Sequence, residues 1–127
     1  MKATRLIQID WIAAMVAGVL VLSLCPWLAR LYALPESLLQ TIGIVNHAYA
    51  CVSLTLALRS RGDTVPYLRV VAAANIAWAA WCVMLTVVWF DQATLLGLVQ
   101  LGGEALFVGG LGVLEWRAAG RVAPSNA

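Results

Sequence analysis

The sequence predicts an all-α integral membrane protein, an antiparallel bundle of four transmembrane helices with both termini in the cytoplasm. Hydrophobic residues make up 63% of the 127 residues and charged residues only 11%, which is outside the usual composition of soluble domains. Four long runs contain almost no charge. Since one span takes about 20 residues, four spans use nearly the whole chain, and residues 1–127 are expected to form a single transmembrane domain.

Charged residues mark the ends of the predicted helices, because an uncharged run of about 18 residues or more is typical of a membrane helix. The runs are continuously rich in Leu, Ala and Val, unlike the short alternating strands of a membrane β-barrel. The predicted helices cover residues 8–31, 37–59, 66–90 and 92–117. Residues 120–127 are expected to form a disordered tail.

Basic residues predict the orientation. In this arrangement Arg30 alone lies on one side of the membrane. The other side carries Lys2, Arg5, Arg59, Arg61, Arg69, Arg117 and Arg121. Cytoplasmic flanks carry the excess of Lys and Arg, so both termini and the loop 59–69 are predicted to be cytoplasmic. Short loops and the absence of glycosylation sites favour the inner membrane of a bacterium.

The N-terminal segment also has the basic start and apolar stretch of a signal peptide. A cleavable signal ends in small residues, whereas Leu24, directly before Cys25, is large. The first helix is therefore expected to be retained. Cleavage would leave three spans and an external N-terminus.

Glu104 is the one charged residue within the four apolar runs, which otherwise lie between charged residues. A carboxylate there costs several kcal/mol unless it is protonated, paired or hydrated. Gln100 lies one turn earlier, and Asn46, His47 and Asn75 lie at similar depths in other helices. These five residues are predicted to form either a ligand or proton site or a set of interhelical hydrogen bonds, and the second interpretation is slightly favoured. His47 could satisfy a carbonyl or exchange a proton with Glu104.

Small residues predict where helices approach closely. In the fourth predicted helix, glycines repeat at intervals of seven residues, and the first helix has a shorter pair of small residues. These positions are Gly102, Gly103, Gly109, Gly110, Ala14 and Gly18. Glu115, near the end of the fourth helix, is expected to reach the aqueous boundary and to need no buried partner.

The chain has no catalytic motif, glycine-rich phosphate loop or clustered metal ligands, and His47 is its single histidine. No cofactor and no metal are therefore expected. A net charge of +2 with sparse basic residues gives no basis for nucleic-acid binding. The expected partners are the lipid bilayer and either further copies of the chain or another membrane protein.

The favoured functional hypothesis is a non-enzymatic module that self-associates or binds another membrane protein. The alternative is a proton-coupled small-molecule transporter or hydrophobic-ligand binder that uses Glu104, and a membrane-embedded isomerase is less favoured. In size and number of spans the chain resembles the small multidrug-resistance transporters. Those proteins carry their glutamate in the first helix, whereas residues 11–29 contain no acid here, and no family membership is inferred.

Overall fold

The computed structural model describes residues 3–59 and 64–122, with side chains from residue 5 to 59 and from 65 to 122. In this part of the chain the fold is all-helical. The helices are α1 (Ala3–Ser23), α2 (Cys25–Tyr32), α3 (Glu36–Arg59), α4 (Thr64–Val88) and α5 (Leu95–Val122). All of them except α2 contain a stretch long and apolar enough to cross a membrane. The prediction of an all-α chain with four such helices is confirmed.

The first predicted helix, 8–31, is divided into α1 and α2. Pro26 is the second residue of α2 and has no N–H to offer the carbonyl four residues earlier. The helix therefore breaks at Leu24, and α2 ends at Ala33, whose φ of 51° is left-handed. The Cys25 thiol donates to the Glu36 carbonyl oxygen at 3.4 Å, which holds α2 against the start of α3. Burial, together with the Glu36 carboxylate, raises the pKa of this thiol.

The start of α5 lies three residues after the predicted position 92 because Thr94 caps it. The Thr94 hydroxyl accepts from Gly97 N at 3.2 Å and donates to the Leu31 carbonyl oxygen at 2.8 Å. Thr94 N also donates to the Tyr32 carbonyl oxygen at 2.9 Å. At its other end α5 continues to Val122. The predicted tail thus overlaps the helix over 120–122, and residues 123–127 lie outside the described residues.

The four long helices pack as two pairs, α1 with α3 and α4 with α5. Gly18 lies so close to α3 that an added Cβ would be 2.9 Å from His47 N, and an added Cβ on Gly112 would be 3.0 Å from the Ala72 carbonyl oxygen. Direct contacts between the two pairs are sparse. A cleft therefore separates the pairs along part of their length.

The surface of the described helices is far more apolar than that of a soluble protein. Large apolar side chains cover the outside, with Leu106 80% exposed and Leu95 77% exposed. Among the described residues, buried polar or charged side chains include Asp10, Ser53 and Glu115. An apolar surface, with the few buried polar groups hydrogen-bonded inside a mainly apolar core, matches the requirements of a lipid environment.

The glycines of α5 differ in what they contact. Gly109 packs on Ala79, whereas a Cβ added to Gly102, Gly103 or Gly110 would meet no atom of the described chain within 4 Å. The predicted close-packing face of α5 is thus largely unused within the described chain. The close approach predicted at Gly18 does occur, against α3.

Gly18→Ala is expected to destabilise the fold by about 1–3 kcal/mol, because the new Cβ would press on α3 backbone atoms that cannot move independently. Gly120→Ala is the matched control, because a Cβ there would meet no atom of the described chain within 4 Å and Ala favours the helix by up to about 1 kcal/mol. Reversible unfolding in mixed micelles measures both free energies. An equal effect of the two substitutions would contradict the predicted contact.

Candidate functional site

A cavity of about 820 Å³ occupies the cleft between the helix pairs. All five helices contribute to its wall, which is mainly apolar with a few polar side chains. The polar lining residues are Asp10, Tyr32, Asn46, Tyr49, Asn75, Trp78, Gln100 and Glu104. Both the volume and the mixture of apolar wall and a few polar groups are typical of small-molecule sites.

The cavity is long as well as wide. On α5 its lining extends from Leu96 to Leu111, a rise of about 22 Å at 1.5 Å per residue. The hydrocarbon core of a bilayer is about 30 Å thick. The cavity therefore follows most of the span that α5 makes.

Glu104 lies in the middle of this wall and joins the two helix pairs. Its Oε1 accepts from Asn46 Nδ2 at 3.2 Å, across the cleft, and from Trp78 Nε1 at 2.8 Å, within its own pair. Both donors bind the same oxygen. Glu104 Oε2 is left able to accept a hydrogen bond from a molecule in the cavity.

A second polar cluster lies towards the N-terminal end of α1, around Asp10. Asp10 Oδ2 accepts from the Tyr49 hydroxyl at 2.6 Å and from the Ser53 hydroxyl at 3.0 Å. Its Oδ1 accepts from Asn75 Nδ2 at 2.9 Å. The Tyr67 hydroxyl lies 2.9 Å from Ser53 Oγ and also donates to the Ser53 carbonyl oxygen. Asp10 is 3% exposed, so three short hydrogen bonds replace the water that it loses.

Glu115 completes this cluster from α5. Asn75 Nδ2 donates to its Oε2 at 2.9 Å, so one amide bridges the carboxylates of Asp10 and Glu115. Glu115 is completely buried, and its Oε1 has no hydrogen-bond partner among the described residues. Neither carboxylate forms an ion pair with a basic side chain in the described part of the chain. The expectation that Glu115 reaches water without a buried partner is therefore wrong.

The opposite end of the cavity has a weaker polar contact. The Tyr32 hydroxyl donates to Gln100 Oε1 at 3.4 Å, and the contact is exposed. Gln100 is one turn from Glu104, as the spacing predicts, but its hydrogen bond goes to α2.

Four of the five residues predicted to form one polar site line the same cavity, but they form hydrogen bonds with different partners. Asn46 and Glu104 meet each other, whereas Asn75 belongs to the Asp10 cluster. His47 is absent from the cavity lining, and its Nδ1 is buried without a partner among the described residues. Its backbone instead packs against Gly18. The small residue Ala14 lines the cavity.

Sequence reasoning missed Asp10 and Glu115 because both were interpreted as markers of helix ends. A usable signal was the spacing of the small residues around them. Asp10 is four residues before Ala14 and eight before Gly18, and Glu115 lies between Gly112 and Ala119 at helical spacing. A carboxylate on the small-residue face of a helix points towards a neighbouring helix rather than towards lipid or water.

No group of three or more His, Cys, Asp or Glu side chains in the described part of the chain lies close enough together to hold a metal ion. The chemistry that the cavity offers is hydrogen bonding and charge.

Tyr49→Phe is expected to lower the free energy of unfolding by about 1.5–3 kcal/mol, because it removes a short hydrogen bond to the buried carboxylate of Asp10. Tyr32→Phe is the matched control, since it removes a long, exposed hydrogen bond and should cost no more than about 0.5 kcal/mol. Unfolding of both variants in mixed micelles gives the comparison. Equal losses of unfolding free energy in the two variants would contradict a larger contribution from the Tyr49 hydrogen bond.

The side chains around the cavity are the basis for interpreting its function, since sequence and structure comparisons identify no relative. No protein-family model, curated protein or solved structure that was compared with the chain matches it.

Proposed function

We propose that this chain is a non-enzymatic membrane protein that binds a small amphipathic molecule in the cavity between its helix pairs. The observation that carries the proposal is the position of Glu104, which stands on an otherwise largely apolar wall with one carboxylate oxygen left for a ligand. A side chain used only to hold helices together would be expected to be enclosed by its partners. Glu104 is instead partly exposed to the cavity.

The ligand chemistry follows from the groups that face the cavity. A carboxylate accepts hydrogen bonds and attracts positive charge, so the polar end of the ligand should be a donor, and an amine suits it best. Trp81 and Phe107 line the same wall and supply aromatic faces that attract cations as well as apolar groups. An alkyl or aryl body would pack against the alanines of α1 and α4.

The proposed setting is an antiparallel four-helix bundle in the inner membrane of a bacterium, with both termini in the cytoplasm. The excess of basic residues at one end of the spans supports this orientation. Contacts between α1 and α3 support the antiparallel arrangement. Asp10 meets Ser53 whereas Gly18 approaches His47, so the two helices run in opposite directions.

Self-association is a second proposed property, and the open glycines of α5 are the observation that favours it. Gly102 and Gly110 have no neighbouring atom within 4 Å in the described chain. Small residues left open on a membrane helix allow a further helix to approach closely. The proposed occupant is a second copy of this chain.

Glu104→Gln is expected to weaken binding of decylamine at least about tenfold, since it removes the charge while retaining the shape of the side chain. Glu36→Gln is the matched control, because Glu36 is exposed and lies outside the cavity lining. Native mass spectrometry of the protein released from lipid nanodiscs measures the bound fraction over a series of decylamine concentrations. Decanol and decyltrimethylammonium separate the contribution of the donor from that of the charge.

Binding of decylamine that is equal in the wild type, Glu104→Gln and Glu36→Gln would contradict the proposed site.

The same spectra record the mass of the assembly, and a monomer under all conditions would contradict self-association. A stoichiometric complex with a different membrane protein, seen after extraction from the native membrane, would assign the open face of α5 to that partner.

A green fluorescent protein fused after Ala127 is expected to fluoresce, because the proposed orientation leaves the C-terminus in the cytoplasm, where this reporter folds. An alkaline phosphatase fusion at the same position should be inactive. Whole-cell fluorescence and phosphatase activity, each normalised to the amount of fusion protein, test the orientation. The reverse pattern would overturn it.

A further inference from the structure

We propose that Asp10 and Glu115 form a one-proton site, in which Glu115 carries the proton and Asp10 the negative charge. The site is distinct from Glu104. It lies on the same cleft, because Asp10 and Asn75 both line the cavity. The proposal does not rest on ligand binding, and its test needs no ligand.

The separation of the two carboxylates is the first argument. Asn75 Nδ2 is 2.9 Å from an oxygen of each, so these oxygens are no more than about 6 Å apart, a distance at which like charges disfavour joint ionisation. The described residues supply no ion pair to offset the repulsion. One negative charge on the pair is therefore favoured over two.

The hydrogen bonds decide which carboxyl group is charged. Asp10 accepts three hydrogen bonds, and both of its oxygens have donors. Glu115 accepts one, and its Oε1 is fully buried without a donor among the described residues. An ionised oxygen left in that position would lose its hydration without replacement. A proton on Oε1 replaces this cost with the smaller cost of burying a neutral hydroxyl.

The two carboxyl groups lie on α1 and α5, and the other side chains of the cluster come from α3 and α4. These side chains are Tyr49 and Ser53 on α3, and Tyr67 and Asn75 on α4. Each hydroxyl and the amide can donate hydrogen bonds to a carboxylate. Release of the proton from Glu115 to water converts the acid to its carboxylate and changes no other covalent bond.

Infrared spectroscopy of the full chain in nanodiscs tests the site directly, because a protonated carboxyl group absorbs apart from an ionised one. At neutral pH the wild type is expected to show a protonated carboxyl band. Carbon-13 labelling of the glutamate side-chain carboxyls should shift this band, and the same labelling of aspartate should leave it in place. This labelling assigns the band to glutamate or to aspartate without any amino-acid substitution.

Two conservative variants locate the proton. Glu115→Gln should lose the band, since Gln keeps the shape and can still accept from Asn75. Glu104→Gln should retain it. Retention of the whole band in Glu115→Gln, its loss in Glu104→Gln, or a shift on aspartate labelling would overturn the assignment.

The salt composition distinguishes a proton site from a cation site. The spectra are expected to be the same in sodium chloride and in choline chloride. A band that is present in choline chloride and lost on adding sodium would show that Na⁺ occupies the position, and would overturn the proposal. Absence of the band in both salts would overturn it equally, since both carboxyl groups would then be ionised.

Discussion

The bridge that Asn75 makes between Asp10 and Glu115 is the interaction on which the arrangement of the helices depends. Within each pair, helices are held by close backbone approach at Gly18 and Gly112, which works as well in lipid as in water. Between the pairs such contacts are few. Two buried apolar clusters with residues from both pairs, together with polar bonds across the cleft, hold the pairs together. In hydrocarbon the polar bonds persist because the separated groups would have no water to bind.

The cavity follows from this division of forces. Helices that pack through small residues along their whole length leave no space, whereas two pairs joined by long polar side chains are held apart by those side chains. Asn46 and Glu104 span the cleft in its middle, and Asn75 spans it nearer one end. The polar groups that fasten the pairs are thus the same groups that line the space between them. A structural role and a binding role are compatible in these residues.

The number and approximate limits of the spanning helices could be predicted from the sequence, because the cost of charge in hydrocarbon acts on each segment independently. The break at Leu24 was also within reach, since Pro26 cannot complete the helical hydrogen-bond pattern. The similar depth of Asn46 and Glu104 was predictable, and the structure joins the two by a hydrogen bond. Depth does not determine which face meets which, so the contacts of Asn75 with Asp10 and Glu115 and the buried position of Glu115 were not predicted.

Thr94 provides a second connection between the two helix pairs. Its backbone and hydroxyl groups bind two consecutive carbonyl oxygens at the end of α2, which ties the α1–α2 segment to the start of α5 at the far end from Asn75. The two helix pairs are consequently joined at this end of the cleft as well as at the contacts of Asn75 with Asp10 and Glu115. Any widening of the cleft between these two connections has to break the Asn46–Glu104 hydrogen bond and displace the neighbouring lipid tails.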